Sequence, residues 1–224
     1  MYAVASGRPL HQSIYVEDSA TATQVLVAVT RHQSAGRCIE GIVYEKGCGD
    51  FEGEDAEKTK EIAIISTSIL ALICQAPNLS LLSLCAISLV TIEAMKSALL
   101  SCHAINTVVL DHSPSSPEHR CLNWTEAAEL VAKLASLQDF QLFNMPAENF
   151  TFPPNALRTI RLIECNISND QIAQLLSASG SSLRNLECYR MRTVDTEHLI
   201  EAISQHICCF WMLRCPARST YPVG

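Results

Sequence analysis

Apolar residues recur along the chain in one short pattern: an apolar position, two variable positions, a second apolar position, one variable position and a third apolar position. The clearest copy runs through Leu157, Ile160 and Leu162 and continues to Cys165 and Ile167. Alternation of this kind predicts a short strand, because successive side chains of a strand point to opposite faces. Seven further strand candidates begin at Ile14, Ile39, Leu79, Ile105, Leu137, Leu183 and Ile207.

Helical patterns lie between the strand candidates. Two of them open with a capping box, in which a polar residue is followed three positions later by Glu or Gln. The two boxes are formed by Asn123 with Glu126 and by Ser168 with Gln171. Further helices are predicted around residues 25–29, 59–74, 91–100 and 195–203. The chain is therefore expected to alternate strand, turn and helix from beginning to end.

Some intervals between strand candidates depart from the common spacing of 24 to 28 residues. The interval after Ile39 carries a predicted acidic loop insert at 45–61, and the interval after Ile105 carries a Ser/Pro loop at 113–122. Only 20 residues separate Leu137 from Leu157, and three of them are prolines. We expect extended or 3₁₀ structure there instead of a helix. An irregular tail is predicted at 216–224.

The best copy matches the pattern L-x-x-L-x-L-x-x-[NC]-x-L, with Ile at two of the Leu places and Cys165 at the Asn or Cys place. This copy and the one at Leu183 resemble the cysteine-containing leucine-rich repeats of fungal-type F-box/leucine-rich-repeat proteins, and the resemblance covers nearly the whole chain. A strand-and-helix repeat must stack on its neighbours to bury its apolar face. The fold class expected is α/β: one leucine-rich-repeat solenoid over 1–224.

Seven to eight irregular repeats are expected to form a right-handed horseshoe, with a parallel sheet on the concave face and helices on the convex face. In the resembling family the repeats hold a substrate, and an F-box docks onto a cullin-RING ubiquitin ligase. No Leu-Pro-containing F-box helix is recognisable before the first repeat. The resemblance implies the substrate-recognition part of a ligase adaptor. The alternative is a regulatory or scaffold repeat protein, similar to ribonuclease inhibitor or to GTPase regulators and unrelated to ubiquitination.

Composition narrows the class of partner. Apolar residues make up 48% of the chain and charged residues 17%, which argues against disorder. The net charge of −7 argues against a general nucleic-acid binder. Residues 62–92 contain no charge, but 75–78 divide them into halves shorter than the roughly 20 residues of a membrane span. Without an N-terminal targeting pattern, and with eleven cysteines interpreted mostly as core thiols, we expect a cytoplasmic or nuclear protein outside the membrane.

Partners of such solenoids usually dock on the concave face, at the strand positions between the buried ones. In the last strands these positions hold arginines and aromatic residues, which are common interface anchors. Arginine also binds carboxylates and phosphates through a planar fork. The sequence predicts that an acidic or phosphorylated segment of a partner protein binds there; an ordinary solvated face is the alternative. The predicted binding residues are Phe143, Arg158, Arg161, Arg184, Glu187, Tyr189, Arg190 and Trp211.

Catalytic and metal sites find little support in the sequence. Cysteines and histidines cluster around one loop, but their spacing matches no zinc site. These residues are Cys102, His103, His112, His119 and Cys121. We therefore expect no catalytic activity, no cofactor and no metal. The last strand, with Ile207, Phe210 and Met212 in its apolar places, ends without a cap, so self-association through the open ends of the solenoid is expected.

Overall fold

The computed structural model describes residues 12–44, 55–85, 92–99, 102–111, 123–146, 151–152, 154–191 and 212–214. Eight strands form one sheet, and the strands lie side by side in the order in which they occur along the chain. Every neighbouring pair is parallel. These observations confirm the predicted α/β class with a parallel sheet.

The strands are β1 (Gln12–Val16), β2 (Ile39–Tyr44), β3 (Leu81–Cys85), β4 (Thr107–Asp111), β5 (Asp139–Phe143), β6 (Thr159–Ile163), β7 (Asn185–Tyr189) and β8 (Met212–Arg214). The helices are α1 (Ser19–Arg31), α2 (Gln33–Gly36), α3 (Asp55–Gln75), α4 (Ile92–Leu99), α5 (Trp124–Lys133) and α6 (Asn169–Ser179), and a 3₁₀ turn follows α6 at Gly180–Ser182. Parallel neighbours need a long connection between strands, and helices supply most of these connections.

The sheet has a buried face whose side chains come from alternate strand positions. One row across β2 to β7 consists of Ile42, Leu82, Val108, Phe140, Ile160 and Leu186, each 0% exposed. The next buried row consists of Tyr44, Leu84, Leu110, Leu142, Leu162 and Cys188. Both rows belong to one hydrophobic cluster with the buried side chains of the helices. The intervening positions form the opposite surface of the sheet, here called the open face.

The turns entering the strands repeat one hydrogen-bond arrangement. The carbonyl of Arg158 accepts hydrogen bonds from the backbone N–H groups of Arg184 and Asn185, at 2.7 and 2.9 Å. The carbonyls of Gln138, Asn106 and Ser80 each accept two such bonds from the following strand. The same local geometry therefore recurs at the start of β4, β5, β6 and β7.

Both capping boxes are confirmed. The side chain of Asn123 accepts a hydrogen bond from the backbone of Glu126 at the start of α5, and the Glu126 carboxylate accepts one from the Asn123 backbone. Ser168 and Gln171 make the same reciprocal pair at the start of α6. Each box satisfies backbone donors that have no partner within the helix, so the polar spacing in the sequence marks these two helix starts.

The connection between β5 and β6 contains no helix in its described residues, 144–146, 151–152 and 154–158. This agrees with the expectation from its length and prolines. Phe152 is buried there, and its ring meets that of Phe140 edge to face at a centroid distance of 6.3 Å. The indole N–H of the buried Trp124 donates a hydrogen bond of 2.6 Å to the carbonyl of Pro146. Aromatic contacts thus attach this connection to β5 and α5.

The boundary between the predicted acidic insert and α3 differs from the sequence prediction. Helix α3 begins at Asp55, so residues 55–61 are helical and only 45–54 remain for the predicted acidic insert. Acidic residues in a first helical turn interact favourably with the helix dipole. An acidic composition is therefore compatible with a helix start as well as with a loop. The residues 45–54, 113–122, 195–203 and 216–224, which carry other predicted loops, a helix and the tail, lie outside the described residues.

The last strand is displaced from its predicted register. Leu213 aligns with Leu186 of the buried row, and Met212 aligns with Asn185 of the open face. The sequence prediction aligned Phe210 with Leu186 and Met212 with Cys188, so the register of the structure differs from the predicted one. Several apolar residues in succession offer more than one alternation, so the pattern alone does not determine the pairing.

The helices in the described ranges lack the combination of length and hydropathy that a membrane-spanning helix requires.

Candidate partner-binding face

An apolar row crosses the open face where β5, β6 and β7 end. The register aligns Phe143 with Ile163 and Ile163 with Tyr189. Phe143 and Ile163 are half-buried, whereas Tyr189 is 41% exposed. Neighbouring strands lie about 4.8 Å apart, so the three side chains form a continuous strip about 10 Å long. We call these three residues the apolar row.

Two register positions earlier, on the same face, Arg161 of β6 aligns with Glu187 of β7. Its Nε atom lies 3.0 Å from Oε2 of Glu187, and the two side chains are 38% and 24% exposed. The Nε atom itself is buried and makes no well-aligned hydrogen bond, so the contact is chiefly an ion pair. A partly exposed pair of this kind contributes at most about 1 kcal/mol to stability. Its main consequence is that Arg161 already has a counter-ion.

A second ion pair lies beyond the strand ends. The guanidinium of Arg190 donates a hydrogen bond of 2.9 Å to the carboxylate of Glu164, and the two side chains are 66% and 38% exposed. The hydrogen bond to Glu164 raises the pKa of Arg190 above its ordinary value, with a smaller effect from Tyr189. The same guanidinium lies 5.2 Å from the centroid of the Tyr189 ring, within the range of a cation–π contact.

Three residues that directly follow β5, β6 and β7 adopt the left-handed backbone conformation. They are Asn144, Glu164 and Arg190, with φ values of 57°, 57° and 52°. The N–H of Asn144 donates to the carbonyl of Ile163, at 2.9 Å, and the N–H of Glu164 donates to the carbonyl of Tyr189, at 2.8 Å. Asparagine adopts this conformation readily, but it costs other non-glycine residues roughly 1 kcal/mol or more.

We call Asn144, Glu164 and Arg190 the carboxyl-edge row. The side-chain amide of Asn144 donates a hydrogen bond of 2.9 Å to the carboxylate of Asp111 at the end of β4. Asn144 is thus hydrogen-bonded to Asp111, and Arg190 to Glu164, each time between neighbouring strands. These polar groups border the apolar row. An apolar centre with a polar border is the usual composition of a protein-binding surface.

The predicted binding residues separate into two groups. Five of them lie on the open face or its carboxyl edge: Phe143, Arg161, Glu187, Tyr189 and Arg190. Arg158 and Arg184 lie instead in the turns that enter β6 and β7, at the opposite end of the strands, and both are exposed. A five-residue strand is about 16 Å long, so Arg158 and Arg184 lie about one strand length from Tyr189 and Arg190. Trp211 lies outside the described residues.

Ile163, Asn144 and Glu164 belong to this surface but were not among the predicted binding residues. Ile163 was missed although strict alternation from Arg161 places it on the open face. Asn144 was missed because its contribution depends on a left-handed turn, for which an asparagine after a strand is only a weak signal. The first of these omissions was avoidable from the sequence.

Cys165 lies directly after Glu164 of the carboxyl-edge row and is a buried thiol. Burial raises the pKa of the Cys165 thiol to about 11, more than its backbone hydrogen bonds lower it. Its Sγ lies 3.3 Å from the carbonyl oxygen of Leu142 on the neighbouring strand. A thiol with a raised pKa is a poor nucleophile at neutral pH. Cys165 therefore acts as a small buried side chain that joins two strands.

Cys102 and His103 are potential metal ligands on one loop. Within the described ranges, no group of three or more His, Cys, Asp or Glu residues is placed to hold a metal ion. The Cys102 thiol is buried near the carbonyls that end α3, whereas His103 is exposed. His112, His119 and Cys121 lie outside the described residues.

No protein-family model matches the chain. No curated protein matches it.

Proposed function

We propose that the chain is a leucine-rich-repeat solenoid that binds a partner protein on its open face. The sheet, with strands in chain order, and the recurring turn geometry support a repeat architecture. Right-handed crossovers are the rule for parallel strands, so the proposed form is a right-handed horseshoe with helices on its convex side. Cys165 supports the cysteine-containing type of repeat, because its thiol takes the bridging position assigned to Asn or Cys in the pattern.

The observation that carries this function is the apolar row beside two ion pairs. Phe143, Ile163 and Tyr189 expose apolar surface on three adjacent strands, where a soluble repeat protein needs only polar side chains. Tyrosine and arginine are the residue types that most often dominate binding energy, and Tyr189 contacts Arg190. A partner that covers this row removes the tyrosine ring from water while the ion pairs remain at the rim.

The resemblance of the repeats to F-box/leucine-rich-repeat proteins supports a more specific role. We propose that the partner is a substrate and that the chain is the substrate-recognition part of a ubiquitin-ligase adaptor. The support is the repeat pattern of the sequence, including Cys165 and the buried apolar positions of Leu157 and Leu183. In this role the chain performs no bond-breaking step: it holds the substrate in place while other subunits carry the ligase activity.

The test is a crosslinked affinity purification with quantitative mass spectrometry. The test variant combines Tyr189→Ser with Arg190→Gly, because glycine accepts the left-handed conformation at position 190. The control variant combines Val27→Ser with Ile64→Ser, two exposed apolar residues on α1 and α3. We expect one partner to be lost by at least about tenfold from the test bait and retained by the control, since hot-spot truncations cost more than about 1.4 kcal/mol.

Recovery of ubiquitin-ligase subunits together with that partner would support the adaptor role. Their absence, with the partner still lost from the test variant, would contradict the adaptor role and leave a binding protein unrelated to ubiquitination. Equal recovery of all proteins by the two baits would overturn the open face as the binding site. Circular dichroism of each variant checks that the fold is retained.

A further inference from the structure

A groove on the helix side of the sheet runs along α1 and reaches α3. Its volume is about 650 Å³, and its walls are formed mainly by α1, with Ile64 contributed by α3. Val27 and Ile64, which are 42% and 39% exposed, are two of the four large apolar side chains that the described residues expose. Both of them line this groove. Exposed apolar side chains that converge on one depression indicate a docking surface.

The exposed surface of α1 lacks the charges that a helix facing water usually carries. The helix contains no charged residue from Ser19 to Thr30. Ala20, Gln24 and Val27 are exposed, and they repeat at the alternating three- and four-residue spacing through which two helices pack against each other. By contrast, α5 presents Glu129 at an exposed position. The outer surface of α1 is therefore suited to contact with another helix.

The two helices beside the groove run side by side in the same direction. Each of them leads from one strand to the next parallel strand, α1 from β1 towards β2 and α3 from β2 to β3. Near their carboxyl ends, the side-chain amide of Gln75 donates a hydrogen bond of 3.4 Å to the hydroxyl of Thr30. The beginnings of α1 and α3 therefore both lie towards the opposite end of the groove.

The two ends of the groove carry opposite charges. Glu17 directly precedes the N-cap Asp18 of α1, and Arg31 is the last residue of this helix; Glu17 and Arg31 are both exposed. Residues 55–61 at the beginning of α3 add three acids and two lysines, a net negative charge on the side of Glu17. Arg31 follows Glu17 by 14 positions, which corresponds to about 21 Å along a helix. The groove thus has an acidic end, an uncharged centre and a basic end.

We propose that a second copy of this chain occupies the groove, with the two α1 helices packed antiparallel about a two-fold axis near Gln24. Arg31 of each copy then lies opposite Glu17 of the other, and Val27 lies beside the small Ala20 of the second copy. A two-fold contact requires a surface that is complementary to itself, and opposite charges at the two ends of one groove meet this requirement. A parallel arrangement would place like charges together. The antiparallel dimer leaves both open faces accessible.

Sedimentation equilibrium of the full chain measures the self-association. We expect a monomer–dimer equilibrium with a dissociation constant of about 10 µM, because a small interface gives weak, reversible association. Val27→Ser combined with Ile64→Ser should weaken the dimer at least about tenfold, since it removes apolar side chains from both copies. Tyr15→Ser, at an exposed ring of the edge strand β1, should leave the dimer unchanged. Weakening by Tyr15→Ser alone would place the contact at the open end of the sheet and overturn the proposal.

Exchange of the end charges tests the antiparallel orientation. Arg31→Glu and Glu17→Arg, each alone, should weaken the dimer at least about tenfold, because each creates two like-charge contacts per dimer. An equimolar mixture of these two variants should dimerise as the wild type does, since both contacts of the mixed dimer again join opposite charges. Arg37→Glu makes the same charge change at an exposed residue outside the lining of the groove and should have no effect. Failure of the mixture to dimerise, or an equal loss with Arg37→Glu, would refute the antiparallel contact.

The dimer and the partner-binding function can fail separately, because the groove lies on the helix side and the apolar row on the open face. Val27→Ser with Ile64→Ser should abolish the dimer and still capture the partner. Tyr189→Ser with Arg190→Gly should lose the partner and still dimerise. A chain that stays monomeric at about 100 µM would overturn the dimer and leave the partner site untouched. Loss of the dimer in the variant of the open face would exclude the groove as the contact.

Discussion

The carboxylate of Glu164 accepts a 2.9 Å hydrogen bond from the guanidinium of Arg190, and both residues hold the left-handed backbone conformation after their strands. Each residue directly follows the last position of its strand, and β6 and β7 are neighbours in the sheet. The unfavourable conformation turns the chain at the point where the ion pair forms. The pair therefore marks a place where backbone strain and surface chemistry coincide, which is frequent at functional surfaces.

The left-handed conformation at position 190 predicts that glycine is tolerated better there than valine. Arg190→Gly should change the free energy of unfolding by less than about 0.5 kcal/mol, because relief of strain offsets the lost ion pair. Arg190→Val should cost about 2 kcal/mol, since a branched side chain is poorly accommodated at φ 52°. Urea denaturation measures both. Arg184→Val is the control, with an expected change within about 0.5 kcal/mol; an equal cost at both positions would contradict the argument.

The capping boxes predict losses of helix stability. Ser168→Ala removes the side chain that accepts from the Gln171 backbone, and Asn123→Ala removes its counterpart at α5. Each substitution should lower the free energy of unfolding by about 1 kcal/mol. Ser177→Ala, at an exposed position inside α6, should instead leave the free energy of unfolding unchanged or raise it by about 0.3 kcal/mol. Thermal melts followed by circular dichroism distinguish these outcomes.

The hydrogen bond from Trp124 to Pro146 predicts a loss of stability when the indole is replaced. Trp124→Phe removes the hydrogen bond to the Pro146 carbonyl and leaves a gap beside a fully buried ring. The expected loss is about 1 to 3 kcal/mol, from the hydrogen bond and the cavity together. Tyr15→Phe, at a ring that is 63% exposed, serves as the neutral reference. Denaturation curves in which the two variants coincide would show that the indole contact contributes nothing.

Cys165 predicts a dependence of stability on alkaline pH. Burial raises its pKa from 9.0 to about 11 in the folded chain, so the folded state keeps the thiol proton where the unfolded state has lost it. The stabilisation from the neutral thiol is complete below about pH 9 and is lost as pH rises through 11. Wild type should therefore lose up to about 2 kcal/mol more than Cys165→Ala between these values. A stability difference between the two proteins that stays constant with pH would refute this.

Alternation was enough to find most of the sheet. In the copies that begin at Leu79, Ile105, Leu137, Leu157 and Leu183, the residues at all three apolar positions are buried, as the pattern predicts. A strand whose two faces differ in polarity has one favourable register, and for this reason the buried positions of these copies could be predicted from the sequence. Polar spacing located α5 and α6 for a related reason, since backbone donors at a helix start need partners.

Contacts between residues of different elements could not be predicted from alternation in the same way. The separation of Arg158 from Arg161 follows from where β6 begins, at Thr159, and strand ends are poorly marked by alternation. The ion pairs depend on register between strands 26 residues apart. The burial of Phe152 depends on its contact with Phe140 of β5. Each of these properties belongs to a pair of elements and not to one segment.

A sheet whose strands lie in chain order also has a consequence for synthesis on the ribosome. Each strand pairs with one that has already been made, so β1 to β6 can assemble while the rest of the chain is still emerging. Tyr189 and Arg190 come late, at the end of β7. The surface proposed for the partner is therefore completed only after β7 has been made, and a nascent chain that stops before β7 can fold in part without capturing the partner.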